Sequence, residues 1–292
     1  MKGNPLSGAL LLDKPTGITS ARAVAQVKRL LPKKTKIGHT GTLDPLASGL
    51  LILLLGRATR LSRYVTGLDK TYTATARFGA ASDTLDADGE ITDWNIPLPD
   101  ETDLRNAVID FTGELEQIPP MASAVKVGGE RLYNLHRRGE TVEREGRPVT
   151  IHALDLTSYD PPEQSATFRI SCSSGTYVRT LLADLADSLD TAAYVTSLRR
   201  DSVGAMSLRN AVSLNELNAN NLHSRIIHPA RIVEHLPVVQ VGDRERRSVS
   251  NGREISSSGI SGSFRVEGDG ELLAIYSGDG TKASPEVVLC AA

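Results

Sequence analysis

The chain has 292 residues, a formal net charge of −2, and a composition that is 40% hydrophobic and 23% charged. That length suits one large or two smaller domains, and the charge excludes a uniformly basic nucleic-acid binder. Two cysteines, Cys172 and Cys290, exclude a disulfide framework and a cysteine metal cluster; no apolar run is long enough for a membrane-spanning helix, and a cytoplasmic location without a secretory leader is expected.

Gly8 to Asp13 reads as a short buried strand that ends in the turn Asp13-Lys14-Pro15-Thr16-Gly17. Thr19 and Ser20 can cap a helix whose apolar stripe is Val24, Val27, Leu30 and Leu31. A glycine-bounded loop, Gly38-His39-Thr40-Gly41-Thr42-Leu43-Asp44-Pro45, then leads into the apolar run Leu50–Leu55, a second buried strand. Pro45 biases Asp44 away from the helical region and stiffens the loop. Taken alone, Asp-Pro among glycines is ordinary turn chemistry. Ala58, Leu61, Tyr64 and Val65 have helical spacing, with Arg57, Arg60 and Arg63 on another face. Thr71 to Phe78 alternates, putting Tyr72, Ala74, Ala76 and Phe78 on one side of a strand.

Asp83 to Gly89 is rich in Asp but makes a poor calcium loop, since the register puts Thr84 at the first ligand position; a solvated turn is expected. A helix is predicted over Asp100–Phe111, an extended piece from Met121 turning at Gly128-Gly129, and a short helix near Leu132–Arg138. Phe168–Cys172 reads as a strand. A turn follows, and then a helix with the stripe Val178, Leu181, Leu182, Leu185 and Leu189, so Tyr177 and Arg179 fall in its first turn. From about Leu236 the strands are short (Pro237–Val241, Phe264–Glu267, Leu272–Tyr276, Val287–Cys290) and punctuated by Gly-Asp-Gly, which reads as a small β-rich appendage.

The charge is polarised along the chain. Between Ala21 and Arg63 nine Lys/Arg face one acid, Asp44, a net +8; between Asp83 and Glu116 eleven acids face one base, Arg105, a net −10. A polyanion can therefore dock on one side without a high overall pI, with phosphates held by the Lys33/Lys34 and Arg57/Arg60/Arg63 region. The single acid of the basic segment invites a partner: a nearby Arg lowers a carboxylate's pKa, whereas burial alone raises it. An aromatic beside them offers a stacking face for a base. No Ser/His/Asp triad, P-loop or dinucleotide fingerprint is present. The residues alone point to a cytosolic enzyme with an Asp-centred, cofactor-free site and an anionic substrate.

The loop around Asp44 closely resembles the catalytic motif of the bacterial tRNA pseudouridine synthase B family, and it is one of six resemblances in order. Leu12–Ser20 resembles the family's Lys-Pro motif and Asp69–Tyr72 its Tyr motif. Pro119–Lys126, Ser174–Arg179 and Ser197–Arg200 resemble three more. The resemblance spans about residues 9 to 200. It implies an α+β pseudouridine synthase fold, with a central mixed, mainly antiparallel sheet flanked by helices over residues 1–230. A small PUA-like RNA-binding domain is expected over 236–292. The implied activity is isomerisation of uridine 55 in the tRNA T-arm, with the base flipped out and neither cofactor nor metal involved. Asp44 is implied as the essential carboxylate, Tyr72 as the residue stacking on the base, and Arg179 as the partner of Asp44. His39 and Lys14 are implied at the substrate or its supporting turn, and Tyr177 and Leu198 on the pocket wall. A monomer working without guide RNA is expected; an RNA-folding chaperone and a guide-dependent synthase are the competing readings. His136 departs from the small residue the family pattern leads one to expect.

Overall fold

The computed structural model describes residues 6–93 and 98–290. Its backbone is an 11-stranded mixed sheet. Strands β1 (Gly8–Lys14) and β2 (Ser48–Leu55) are antiparallel neighbours, with Leu12 opposite Leu51. The next in space is Ala193–Val203, parallel to β2 and antiparallel to β3 (Lys70–Phe78). The sheet continues through Ser165–Cys172 and Arg147–Asp160 to Gly113–Gln117, all antiparallel.

Sequence texture follows how many faces are covered. Every side chain from Leu50 to Leu55 is buried, because β1 and β2 are sandwiched. On one side lie Ala23 and Val27 of helix α1 (Ser20–Leu30); on the other lie Ala58, Leu61, Val65 and the C-terminal residues Leu272, Ile275, Val287 and Leu289. A strand covered on both faces reads as a continuous apolar run. Each fully buried Leu or Ile there contributes roughly 1.5–3 kcal/mol. Strand β3 is covered on one face only, so it alternates: Tyr72, Ala74, Ala76 and Phe78 are buried, while Thr73 and Arg77 are exposed.

Several elements differ from expectation. The helical spacing after Gly56 forms a 3-10 turn, Gly56–Leu61, and only one α-turn, Ser62–Thr66. The long strand Arg147–Asp160 carries register shifts between Ile151 and Ala153 and between Leu156 and Ser158, which break the alternation that would have marked it. The expected Met121–Gly129 segment is the arm of a hairpin, Lys126–Val127 with Glu130–Arg131, followed by the helix Leu132–Arg137. This insertion has its own small core of Met121, Leu132 and Leu135.

The C-terminal part is a five-stranded sheet led by Ser261–Gly268, Glu271–Asp279 and Lys282–Val288. Its interior holds Val249, Phe264, Val266, Leu273 and Tyr276. The helix Asp243–Ser250 was not legible in the sequence, because Val249 is the one side chain it buries.

Candidate active site

The loop carrying Asp44 is fixed from three directions. Gly17 N–H donates to Pro45 O at 2.8 Å, tying in the Lys14-Pro15 turn. The Ser20 hydroxyl donates to Leu43 O and accepts from Leu43 N–H, at 2.9 and 2.8 Å. The guanidinium of Arg200, on strand Ala193–Val203, donates to Leu50 O and Gly41 O, at 2.8 and 3.1 Å. Gly49 lets the loop enter β2 at this point: its φ is +98°, and a Cβ there would sit 2.4 Å from Arg200 O.

Asp44 projects into a pocket of ≈ 250 Å³, whose wall includes Tyr72, Tyr177, Arg179, Leu198 and Arg200. That space suits one extruded nucleotide and excludes a duplex. Arg179 is the second residue of the helix Val178–Asp187 and is 5% exposed. Its Nη2 pairs with Asp44 Oδ2 at 2.8 Å and donates to Ala122 O at 2.9 Å; its Nη1 pairs with Asp86 Oδ2 at 2.9 Å and donates to Thr84 O at 2.6 Å. Burial raises the Asp44 carboxyl above its ordinary value; Arg179 pulls it back down, and Asp86 pushes it up again. Burial therefore outweighs the guanidinium here.

Tyr72 is buried on the pocket side of β3, opposite Arg200 in register, and burial raises its phenol while the charge of Arg200 lowers it. Tyr177 lines the pocket, and its peptide is gripped on both sides by Gln117: Tyr177 N–H donates to Oε1 at 3.0 Å and Nε2 donates to Tyr177 O at 3.3 Å. Leu198 is buried in the wall. Lys14 and His39 stand apart from that wall. Lys14 is fully buried, donates to Pro15 O and Ile18 O, and is pushed down to about 8 by burial, against the pull of Asp44. His39 ends the strand Ile37–His39, half-buried, lowered by burial and by Arg200.

Sequence reasoning missed three groups. Asp86, read as part of a solvated turn, is buried and ion-paired to Arg179; nothing in its acidic surroundings marks it. Gln117 left no signal either. Arg200 left one: consecutive arginines on a strand point to opposite faces, and Arg199 pairs with Asp13 while Arg200 turns to the site. The expected phosphate clamp also changes character. Arg57 donates to Leu289 O at 2.7 Å, Arg60 to Val288 O, and Arg63 pairs with Glu286 at 2.9 Å, so these arginines fasten the C-terminal sheet.

A family model described as TruB family pseudouridylate synthase, N-terminal domain, matches residues 28–178. The chain belongs to this family. The match contains His39, Asp44, Tyr72, Asp86 and Tyr177 and stops one residue before Arg179. The tRNA pseudouridine synthase B of Burkholderia lata is 45% identical over 274 residues, covering 93% of this chain and 84% of that protein. Its counterpart in Cupriavidus metallidurans is 41% identical over 276 residues, covering 94% and 88%. Among solved structures, a chain of a Cbf5-Nop10-Gar1 complex superposes with a TM-score of 0.75 at 25% identity, covering 97% of this chain and 85% of that one. An archaeal box H/ACA sRNP Nop10-Cbf5 complex, at 0.73 and 22%, shares the fold. The architecture is thus the pseudouridine synthase fold with a C-terminal β domain. Among the described residues no helix is long and apolar enough to cross a membrane, and no cluster of His, Cys, Asp and Glu has metal-holding geometry.

Proposed function

We propose that Asp44 is the carboxylate through which this chain, a tRNA pseudouridine synthase, makes pseudouridine 55. The observation that carries this is the 2.8 Å pair between Asp44 and Arg179 inside a one-nucleotide pocket walled by Tyr72. The reaction breaks the C1′–N1 bond, its electron pair leaving with the uracil; the base turns, C5 bonds to C1′, the C5 proton is released, and N1 takes up a proton, so that the product is an isomer of the substrate. A carboxylate next to the sugar stabilises or traps the electron-poor carbon, as in glycoside chemistry. Arg179 aims that carboxylate and offsets the cost of burying its charge.

Tyr72 stacks on the base and assists proton movement; Tyr177 and Leu198 complete the wall. His39 meets the RNA beside the extruded nucleotide, and Lys14 supports the loop as a buried cation. We assign residues 1–230 to catalysis and 236–292 to a PUA-like RNA grip. The substrate element is the T-arm, read by a cytoplasmic monomer without guide RNA. Lys33, Lys34 and Lys36, which line a groove with Arg57 and Arg60, suit its phosphates.

The test is tritium release from a tRNA transcript labelled at uridine C5. Wild type releases tritium without any guide RNA and Asp44→Asn does not; tight tRNA binding with no release from wild type sinks the proposal.

A further inference from the structure

We propose that Ser123 is a substrate-binding residue whose hydroxyl donates a hydrogen bond to a carbonyl oxygen of the extruded uracil. The inference rests on the reading of this pocket as a uridine site. Ser123 lies in the Pro119–Lys126 motif. It is 5% exposed, lines the same pocket as Asp44 and Tyr72, and its Oγ has no hydrogen-bond partner among the described residues.

A buried hydroxyl left unpaired is uncommon and unfavourable, and it calls for a reason. The backbone around Ser123 is firmly held. Ala122 O accepts from Arg179 Nη2 at 2.9 Å, and Ser123 O accepts from Tyr133 N–H at 3.0 Å. The segment is thus pinned to the guanidinium that aims Asp44, while the Ser123 hydroxyl stays unpaired. Three other polar side chains of the wall are engaged. The Lys70 ammonium donates to Thr66 O and Leu68 O, Thr176 Oγ1 donates to Ser173 O, and Arg179 is shared between Asp44 and Asp86. A uracil in this pocket brings two carbonyl acceptors within its own plane. A single donor fixed relative to Asp44 would orient the ring against the reacting sugar.

The test is a chemical double-mutant cycle on Ser123→Ala. Its melting temperature is expected to equal or exceed that of wild type, since it removes an unpaired group. With unmodified tRNA transcript its kcat/KM is expected to fall about tenfold, the equivalent of one hydrogen bond. Transcripts carrying 2-thiouridine or 4-thiouridine at the target replace one carbonyl by a poor acceptor. On one of the two, the gap between wild type and variant is expected to close, because the bond is already lost. The proposal is overturned if Ser123→Ala keeps the wild-type kcat/KM. It is equally overturned if its deficit is the same on both thio transcripts, or if a lower melting temperature accounts for the loss. Failure of the parent reading shows separately, as wild-type inactivity on unmodified transcript.

Discussion

Asp44 and Asp86 are held by the two terminal nitrogens of one buried guanidinium, at 2.8 and 2.9 Å from Arg179. The side chain of Asp86 is 5% exposed and that of Asp44 is 38% exposed, so one carboxylate anchors the arginine and the other faces the pocket. Asp86→Asn should weaken the anchor while leaving the shape unchanged. A stability loss of about 1.5–3 kcal/mol is expected from a charge-assisted bond of this kind. Single-turnover isomerisation should fall at least tenfold with tRNA affinity kept within a few-fold. Urea unfolding and single-turnover kinetics read the two effects separately. An unchanged rate in a destabilised variant would reduce Asp86 to an anchor of the fold.

The same triad sets the pH response. In the proposed function Asp44 acts ionised; burial raises its carboxyl while Arg179 lowers it. Wild-type activity should therefore fall as pH drops through a value above the ordinary carboxylate range. Arg179→Gln removes the lowering influence and favours the protonated acid, so its acid limb should move to higher pH in addition to a lower plateau. A pH–rate profile of both proteins decides this; a limb that stays put or moves toward acid would detach Arg179 from the ionisation of Asp44.

What was legible in the sequence and what was not divides along physical lines. The strands Gly8–Lys14 and Ser48–Leu55 showed because both faces are covered, and β3 showed because only one is. Asp44, Tyr72, Tyr177, Arg179 and Leu198 are brought to one pocket from four separate segments. Their residue types suggested chemistry, but the ordered motifs were needed to join them. Asp86 could not be found that way. Its burial comes from the turn packing against the strand Ala193–Val203, with Ala87 N–H donating to Val195 O at 3.0 Å, a long-range contact that local polarity conceals. Arg57 and Arg60 misled for a related reason: their partners are main-chain carbonyls some 230 positions away, which carry no mark in the sequence.

Gly49 is the most tightly enclosed glycine of the loop. Its φ of +98° disfavours any side chain, and a Cβ would sit 2.4 Å from Arg200 O and 2.8 Å from Arg200 N. Gly49→Ala must either part the parallel pairing of Gly49 with Arg200 or strain the backbone. A loss of at least about 2 kcal/mol is expected from positive-φ strain plus the clash. Arg200 also holds Gly41 O, so the shift should reach Asp44 and lower turnover. Denaturant unfolding alongside tritium release measures both; a variant of wild-type stability would show that the strand edge accommodates a methyl group.

Arg57 and Arg60 allow a choice between two roles for one basic cluster. As phosphate contacts they would release counterions on tRNA binding. Replacing both would then reduce the slope of log K against log salt by roughly 1.5. As fasteners they hold Leu289 O and Val288 O, beside a shared apolar contact in which Leu289 and Val287 meet Leu61 and Val65. The geometry favours fastening, so Arg57→Met with Arg60→Met should leave the salt slope within about half a unit. It should also speed proteolytic cleavage in the connection preceding Val238, because the C-terminal sheet is loosened from the back of β2. Salt-dependent binding and limited proteolysis on the same double variant give opposite patterns for the two roles, and a reduced slope with unchanged proteolysis would return these arginines to the RNA.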